Sequence, residues 1–287
     1  MLSQEYLKNP RMSQSKLKRI LDGVEEFKYA LDNPPEETDA MKLGTAVHLL
    51  LLQPELSWML LSKPNLGKSN SRLSKIWELI VEGHTQNYFP ISTKKTKKQE
   101  EGVFYEVSAD EYESVLSWKS NFSPYFLFPE KYMLLDSDMY QQAYDMAASV
   151  RTNSDAMQIL SCCESFEQEH YFDYSDIPFK AQLDGVGSNF VLDLKTTRCE
   201  NKDHKIQWEV LDNGYDFQAA LYLEATGKEN YYIIFVRNEA PYSVFPVKLS
   251  RETLERGKLR LDDACGIYKN CLKNNPEFKP NNRLRII

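Results

Sequence analysis

The chain has 287 residues, of which 42% are hydrophobic and 27% charged, and its formal net charge is −7. This composition is ordinary for a folded protein and predicts one large domain or two small ones. The five cysteines are odd in number and lack a Cys-x-x-Cys spacing, which argues against a disulfide scaffold and for a reducing compartment. No apolar run is long enough to cross a bilayer, and the N-terminus lacks a signal-peptide apolar segment. We therefore expect a cytoplasmic protein.

The charge is unevenly distributed along the chain. Between Lys63 and Lys98 there are eight Lys or Arg residues against two Glu, so this segment is +6 and the remainder is −13. Its "STKKTKK" stretch, residues 92–98, is compatible with a solvated loop and with a DNA contact. A second small basic cluster lies near the C-terminus: Lys279, Arg283 and Arg285. Because nucleic-acid binding needs a local basic track rather than a basic total, the overall acidity does not exclude DNA.

The first half of the chain reads as helical. Apolar periodicity predicts a helix over residues 13–30. Thr38 or Asp39 is expected to cap the next helix, "AMKLGTAVHLLLL", which is apolar nearly all round and ends before Pro54. Gly44 and His48 lie four residues apart in it and therefore share one face.

Further helices are predicted before residue 160. A short amphipathic helix is expected around residues 73–83, within the basic region. Another is expected over residues 108–122, with Ser108 and Glu111 at capping-box spacing. Residues 137–160 form a longer helical stretch that we expect to break near Asn153.

The second half of the chain is predicted to contain strands as well as helices. Strands are predicted at residues 165–173, 179–197 (a hairpin), 230–238 and 242–250, with helices at 215–226 and 250–275. The sequence thus predicts a single domain over residues 1–287. Its mostly helical part, residues 1–160, precedes a β-β-α-β-β core with a terminal helix, residues 161–287.

The hairpin "FKAQLDGVGSNFVLDLKTTR", residues 179–198, carries the first chemical signal. Period-two alternation places Asp184 opposite the apolar face of the first strand, and Asp193 and Lys195 opposite the apolar face of the second. Two carboxylates and an ammonium therefore converge. Such a group suits phosphodiester hydrolysis, because two carboxylates hold Mg²⁺, and a lysine helps to position or deprotonate the attacking water and stabilises the transition-state charge. An exposed salt bridge across a hairpin is the alternative reading.

Four segments together resemble the PD-(D/E)XK nuclease superfamily. They are "GTAVH" (44–48) in an apolar helix, "LDG" (183–185) ending a strand, "VLDLKTT" (191–197) on the next strand and "YDFQAALY" (215–222) on the next helix. More narrowly, the chain resembles the branch that includes the RecB nuclease domain, lambda exonuclease and the RecE type (exonuclease VIII) of phage and prophage recombination. The segments at 12–21 and 39–55 are similar to the opening of RecE-type domains. The resemblance spans about residues 10–250 and implies an α/β (α+β) restriction-endonuclease-like core, a mixed central sheet flanked by helices.

The resemblance also implies roles for individual residues. His48 corresponds to the helix-borne metal ligand, although a histidine buried in a core is its ordinary reading. Asp184 and Asp193 correspond to the bridging carboxylates, and Lys195 to the motif lysine. The implied metal is Mg²⁺, with Mn²⁺ as a substitute.

Residues around this group are matched less uniquely. Gln218 and Tyr222, one turn apart, correspond to the QxxxY element beside the active site and DNA backbone. Glu167 corresponds to an acidic residue on the strand before the hairpin, with Glu169 as the competing register. The basic residue usual near the first Asp is represented by Lys180 or Gln182, and its role is open.

The resemblance implies a magnesium-dependent exonuclease that degrades linear double-stranded DNA 5′ to 3′ and leaves 3′ tails for strand annealing. It further implies a ring-shaped homo-oligomer (trimer or tetramer), a single-strand annealing protein as partner, and a bacterial or phage-infected host cytoplasm. The candidate DNA-contacting residues are Lys94, Lys95, Lys97 and Lys98. Two alternatives stay open: an iron–sulfur RecB-like nuclease, although no cysteine precedes residue 162, and a catalytically degenerate DNA-binding module.

Overall fold

The computed structural model describes residues 4–63, 117, 125 and 131–274. The predicted helices at 73–83 and 108–122, the four lysines at 94–98 and the basic cluster at 279–285 lie outside the described residues, except that residue 117 is helical. The chain forms two compact units, Met1–Ser57 with Gln142–Ile287, and Trp58–Gln141. This division does not test the prediction of a single nuclease domain, which stays a prediction.

Short helices open the first unit. They are α1 (Gln4–Lys8), α2 (Gln14–Lys18), a 3₁₀ turn (Arg19–Leu21) and α3 (Val24–Asp32). The prediction of one continuous helix over residues 13–30 is wrong, because the chain leaves the helix at Gly23, which becomes the N-cap of α3. Glycine is among the poorest helix formers, so an apolar stripe does not carry the helix through it.

The helix that carries His48 forms as predicted. This helix, α4, spans Asp39–Leu52, and the Thr38 hydroxyl caps it by accepting a hydrogen bond from the Met41 N–H at 3.3 Å. Six of its apolar side chains are buried: Leu43, Ala46, Val47, Leu49, Leu50 and Leu52. Packing on several faces fixes the direction in which the one imidazole of α4 points.

The described part of the second unit is small. Strands β1 (Leu60–Ser62) and β2 (Met133–Leu135) pair in parallel. Helix α5 (Ser137–Thr152) begins after β2, and α6 (Ser154–Ser161) belongs to the residues of the first unit. Asn153 separates these two helices and caps α6 through its side-chain oxygen, which confirms the predicted break.

A five-stranded mixed sheet forms the centre of the first unit. Its strands lie in the order β3 (Cys163–Tyr174), β4 (Ile177–Gly187), β5 (Phe190–Thr197), β6 (Asn230–Arg237) and β7 (Val244–Lys248). Neighbours are antiparallel except for β5 and β6, which are parallel. The parallel pair needs a crossover, which α7 (Asp203–Asp212) and α8 (Tyr215–Thr226) provide, and α9 (Arg251–Asn274) follows β7.

Helices α8 and α9 cover the core of this sheet. A cluster of buried side chains joins the strands to both helices, including Phe179, Leu183, Phe217, Phe235 and Leu261. The two helices approach so closely that a Cβ on Gly257 of α9 would lie 2.0 Å from the backbone oxygen of Asp216 in α8. Arg260 also donates to the fully buried Asp216 carboxylate at 2.7 Å. The helix that carries Gln218 and Tyr222 is therefore held in place by its packing against α9.

The predicted class, a mixed sheet flanked by helices, is confirmed. Helix α7 was not predicted, because Val210 is its one buried side chain and its apolar stripe is weak. Among the residues that the structure describes, no helix combines the length and the apolar character needed to span a membrane.

Candidate metal centre and active site

The predicted hairpin opens into a fork. Strands β4 and β5 pair at Gly185–Leu192 and Val186–Val191, next to the turn. Farther along β4, Met12 occupies the backbone positions beside it, donating to the Pro178 carbonyl at 2.9 Å and accepting from the Lys180 N–H at 2.8 Å. The N-terminal segment thus takes the place beside β4 that β5 holds near the turn.

Two polar side chains satisfy the backbone of Leu194, where β5 leaves β4. The Leu194 N–H donates to Asp184 Oδ2 at 2.7 Å, and the Leu194 carbonyl lies 2.7 Å from His48 Nε2. A carbonyl can only accept, so Nε2 carries a proton and Nδ1 is the ring nitrogen that is left for other partners. The fork thus orients one carboxylate and one imidazole with groups of the main chain.

The second imidazole nitrogen, Nδ1, faces two carboxylates. His48 Nδ1 lies 3.7 Å from both Glu167 Oε1 and Asp184 Oδ2. One potential ligand atom from each of these three residues falls within 4.8 Å of the others. The side chains of Glu167 and Asp184 are only 11% and 12% exposed. These three residues, which we call the acidic triad, come from α4, β3 and β4.

Glu167 has an unusual backbone. Its φ of 52° lies in the left-handed region, which costs a non-glycine residue of order 1–3 kcal/mol. The flanking pairs Phe166–Gly185 and Gln168–Leu183 keep the β3–β4 register, so Glu167 lies directly across from Asp184. Such strain at a position in mid-strand is typical of functional sites.

A second group adjoins the acidic triad on β5. Lys195 Nζ donates to Asp193 Oδ1 at 2.9 Å, and Gln218 Nε2 of α8 donates to the same oxygen at 2.8 Å. Asp193 Oδ2 lies 2.8 Å from Lys195 Nζ but has no aligned hydrogen-bond donor among the described residues. The ammonium also lies 5.3 Å from the ring centre of Tyr215, within range of a cation–π contact.

The charges of the two groups influence one another. Burial lowers the pKa of His48, but the carboxylates of Asp184 and Glu167 raise it by more, so that its pKa is about 9. Burial raises the pKa of Asp193 to about 6, with Lys195 offsetting part of that effect. For Lys195, burial lowers the pKa and the carboxylates of Asp193 and Asp184 raise it by more, so the net direction is upward. The negative charge of Asp184 and Glu167, which raises the pKa of His48, also favours a metal cation at the acidic triad.

The acidic triad suits a divalent cation. Carboxylate oxygens suit Mg²⁺ and Mn²⁺, and imidazole nitrogen suits transition-metal ions. A ligating histidine commonly donates its other N–H to a carbonyl, as His48 does to Leu194. Two acidic side chains nearly excluded from water also need a positive partner. The residues present therefore fit the metal that the fold implies.

The structure brings the predicted site residues together, but in two groups rather than one. Asp193 was expected to be a metal ligand with His48 and Asp184, but it is not part of the acidic triad, where Glu167 stands instead. Glu169, the competing register, accepts a hydrogen bond from Tyr171 at 2.9 Å and does not belong to the triad. The catalytic and metal-binding roles of all these residues stay predictions.

The remaining predicted residues lie around the site. Tyr222 is buried on α8, and this burial, with the Asp193 charge next, raises its pKa well above the usual value. Lys180 is buried and donates to the backbone carbonyls of Tyr6 and Asn9. Gln182, in contrast, reaches the site and bonds Glu167.

Two residues of the site, Tyr215 and Leu194, were not predicted from the sequence, because their contacts do not follow from a fixed spacing along the chain. Tyr215 contacts Lys195 from the first turn of α8, and its place three residues before Gln218 was the available signal. Leu194 had no signal, because it acts through its main chain.

These features define a nuclease-like α/β fold of the PD-(D/E)XK type. They are a forked pair of strands, a histidine on a helix, a carboxylate on each of three strands, and a lysine two residues after the last carboxylate. The chain belongs to the family described as a PDDEXK-like domain of unknown function (DUF3799), which matches residues 13–282. The predicted superfamily is therefore confirmed, and the RecE type stays a prediction.

Solved structures agree with this fold. A candidate exonuclease from Eubacterium rectale aligns with 98% of this chain and 96% of its own, at 13% identity and a TM-score of 0.53. A phage-related exonuclease from Haemophilus somnus aligns with 58% of this chain and 85% of its own, at 14% identity and a TM-score of 0.34. At such identities the first likeness shows the fold alone, and the second is too distant to carry an argument. No curated protein sequence matches the chain.

Proposed function

We propose that the chain is a metal-dependent deoxyribonuclease that hydrolyses phosphodiester bonds of linear double-stranded DNA from an end. The observation that carries this proposal is the meeting of the acidic triad with the Asp193–Lys195 pair at one fork of the sheet. The family and the fold support it.

Each residue has a physical task in this reaction. His48, Glu167 and Asp184 would hold Mg²⁺, or Mn²⁺ in its place, which when bound supplies an acidified water and neutralises phosphate charge. The Lys195 ammonium stabilises negative charge on the phosphate as the bond from water oxygen to phosphorus forms and the bond to the leaving oxygen breaks. Because the pKa of Lys195 is raised, this charged role fits it better than that of a base.

Asp193 acts on Lys195 rather than on the phosphate, and Gln218 acts on Asp193. Asp193 is 1% exposed and accepts from both, so it fixes the ammonium at one place beside the acidic triad. Gln218 donates to Asp193 Oδ1, the oxygen that also accepts from Lys195, and thereby restricts rotation of the carboxylate. Preorganisation of this kind removes the cost of reorienting charged groups during the reaction.

The test uses linear duplex DNA labelled separately at its 5′ and 3′ ends, with circular duplex as a control for end dependence. The wild-type chain should digest linear DNA with Mg²⁺ and not with a chelator. Asp184→Asn should be inactive, whereas Asp203→Asn, at an exposed position on α7, should be fully active. A folded wild-type chain that digests nothing with Mg²⁺ or Mn²⁺ would favour the degenerate DNA-binding module instead.

The finer proposal is 5′ to 3′ digestion that leaves 3′ tails for recombination, as in the RecE-type resemblance. The sequence motifs of that resemblance are its support. In the same assay, early loss of the 5′ label with retention of the 3′ label on long products supports it. The reverse order would contradict the polarity and leave the nuclease chemistry in place.

A ring of three or four copies, working with a single-strand annealing protein, is proposed from the same resemblance and from charge. A chain of net charge −7 needs topology as well as local positive charge to stay on DNA through many steps. Light scattering should give a closed oligomer, and digestion should continue after competitor DNA is added. A monomeric mass with immediate arrest would contradict the ring.

The four lysines at positions 94, 95, 97 and 98 are proposed to contact DNA phosphates. Changing all four to Ala should weaken binding to every sequence alike and reduce the dependence of log K on log salt concentration. Fluorescence anisotropy at several salt concentrations measures both. An unchanged salt slope would assign this stretch to a solvated loop.

A further inference from the structure

One polar side chain touches the acidic triad without belonging to it. Gln182 precedes Asp184 by two residues on β4, so the two side chains leave the strand on the same side. Its amide Nε2 donates to Glu167 Oε2 at 2.6 Å. The reverse orientation of the amide would place two oxygens at that distance, so the nitrogen must face the carboxylate.

The two oxygens of Glu167 therefore have different partners. Oε2 is taken by the Gln182 amide, and Oε1 lies 3.7 Å from His48 Nδ1, on the side of the acidic triad. This division matters because the left-handed backbone of Glu167, with φ of 52°, does not by itself hold the side chain in a common strand orientation. The Gln182 contact fixes the rotation of the carboxylate plane.

The side chain that donates to Glu167 is an uncharged amide, and this lack of charge affects cation binding. A lysine or arginine at position 182 would donate equally well to Glu167, but would place a positive charge beside the atoms that hold the cation. Lys180, the other candidate for the position of the usual basic residue, donates to the backbone carbonyls of Tyr6 and Asn9 instead. Gln182 thus supplies the fork with a donor that carries no charge.

We propose that Gln182 is a positioning residue that makes Glu167 present a single oxygen to a divalent cation, and that its neutral amide sets the affinity of the site for that cation. This inference rests on the metal dependence in the proposed function. It assigns Gln182 no contact with DNA or with the reacting atoms.

The test measures Mn²⁺ binding by electron paramagnetic resonance of the free ion, without DNA. Gln182→Met keeps a side chain of similar length and removes the donor. Gln182→Lys keeps a donor and adds charge. Gln207→Met is the matched control, because Gln207 is exposed on α7. We expect both Gln182 variants to bind Mn²⁺ 10–100-fold more weakly than wild type, the usual effect of losing a partner of a ligand, and the control to be unchanged.

A role confined to stability would give a different pattern. It would lower the melting temperature of the metal-free chain but leave Mn²⁺ affinity within about twofold of wild type at a temperature where the variant is folded, and that result overturns the proposal. If Gln182→Met does not fold, Gln182→Lys decides alone, and wild-type affinity there also overturns it. A wild-type chain that binds no Mn²⁺ would overturn the metal site itself, whereas normal wild-type binding with insensitive variants overturns only the role of Gln182.

Discussion

The contact between α8 and α9 allows a sharp test of how the site is supported. A Cβ at Gly257 would lie 2.0 Å from the Asp216 backbone oxygen, whereas ordinary contacts begin at 3.4 Å. The helices would have to separate by about 1.4 Å, and a backbone atom cannot rotate away as a side chain does. Overpacking of this severity costs about 3 kcal/mol, at the upper end of the usual range. The better helix propensity of alanine returns about 1 kcal/mol. Gly257→Ala should therefore lose about 2 kcal/mol of unfolding free energy.

The same helix contains a matched control. Among the described residues, no atom outside its own stretch of helix lies within 4 Å of a Cβ added at Gly266, so Gly266→Ala should gain about 0.5–1 kcal/mol from helix propensity alone. Urea unfolding followed by circular dichroism measures both variants from their midpoints and slopes. Because Asp216 lies two residues before Gln218, nuclease activity of Gly257→Ala should also fall at temperatures where it is folded. Equal stabilisation by both substitutions would refute the close-packing argument.

Three other predictions concern single side chains. Arg260→Ala leaves the Asp216 carboxylate, which is 0% exposed, without its cation, and should cost about 3 kcal/mol in urea unfolding. Arg251→Ala, whose side chain is 92% exposed in its pair with Glu255, should cause no measurable change, and similar losses for both would contradict the role of burial. Lys195→Ala should lower kcat for linear duplex at least about a hundredfold. Because it also leaves the buried Asp193 without its cation, it should lower the melting temperature, and kcat is compared at a temperature where the variant is folded. Activity within tenfold of wild type would remove its assignment. His48→Ala should abolish the rise in melting temperature that Mn²⁺ produces; a variant that loses stability but keeps that rise would make His48 a core residue only.

The parts of the fold that follow from local patterns were predictable. The apolar run and the Thr38 cap determine α4, and the turn formers after Gly185 determine the hairpin. Gly23 interrupts an apolar stripe that otherwise continues, so periodicity alone joined two helices that are separate. Helix α7 buries too little apolar surface to be recognised.

The candidate site was predictable only where its residues share a strand or a helix. Asp193 and Lys195 are two apart on one strand, and Gln218 follows on the next helix but one, so sequence motifs place them. The place of Glu167 beside His48 and Asp184 in the acidic triad depends on the β3–β4 register and on the left-handed backbone of Glu167. Neither is encoded in a short spacing, because both arise from pairing between strands and from the opening of the fork.

The double use of the Leu194 main chain has a practical consequence for the choice of inactive variants. Replacing Asp184 with Asn keeps an oxygen that accepts from the Leu194 N–H, whereas replacing it with Ala leaves that amide unpaired in the middle strand of the sheet. Deuterium exchange of this single amide, followed by NMR, consequently reports on a side chain across the fork. The Asn variant should keep the amide slow to exchange and trap DNA on an undistorted site, while the Ala variant should accelerate its exchange and record the loosening of β5 itself.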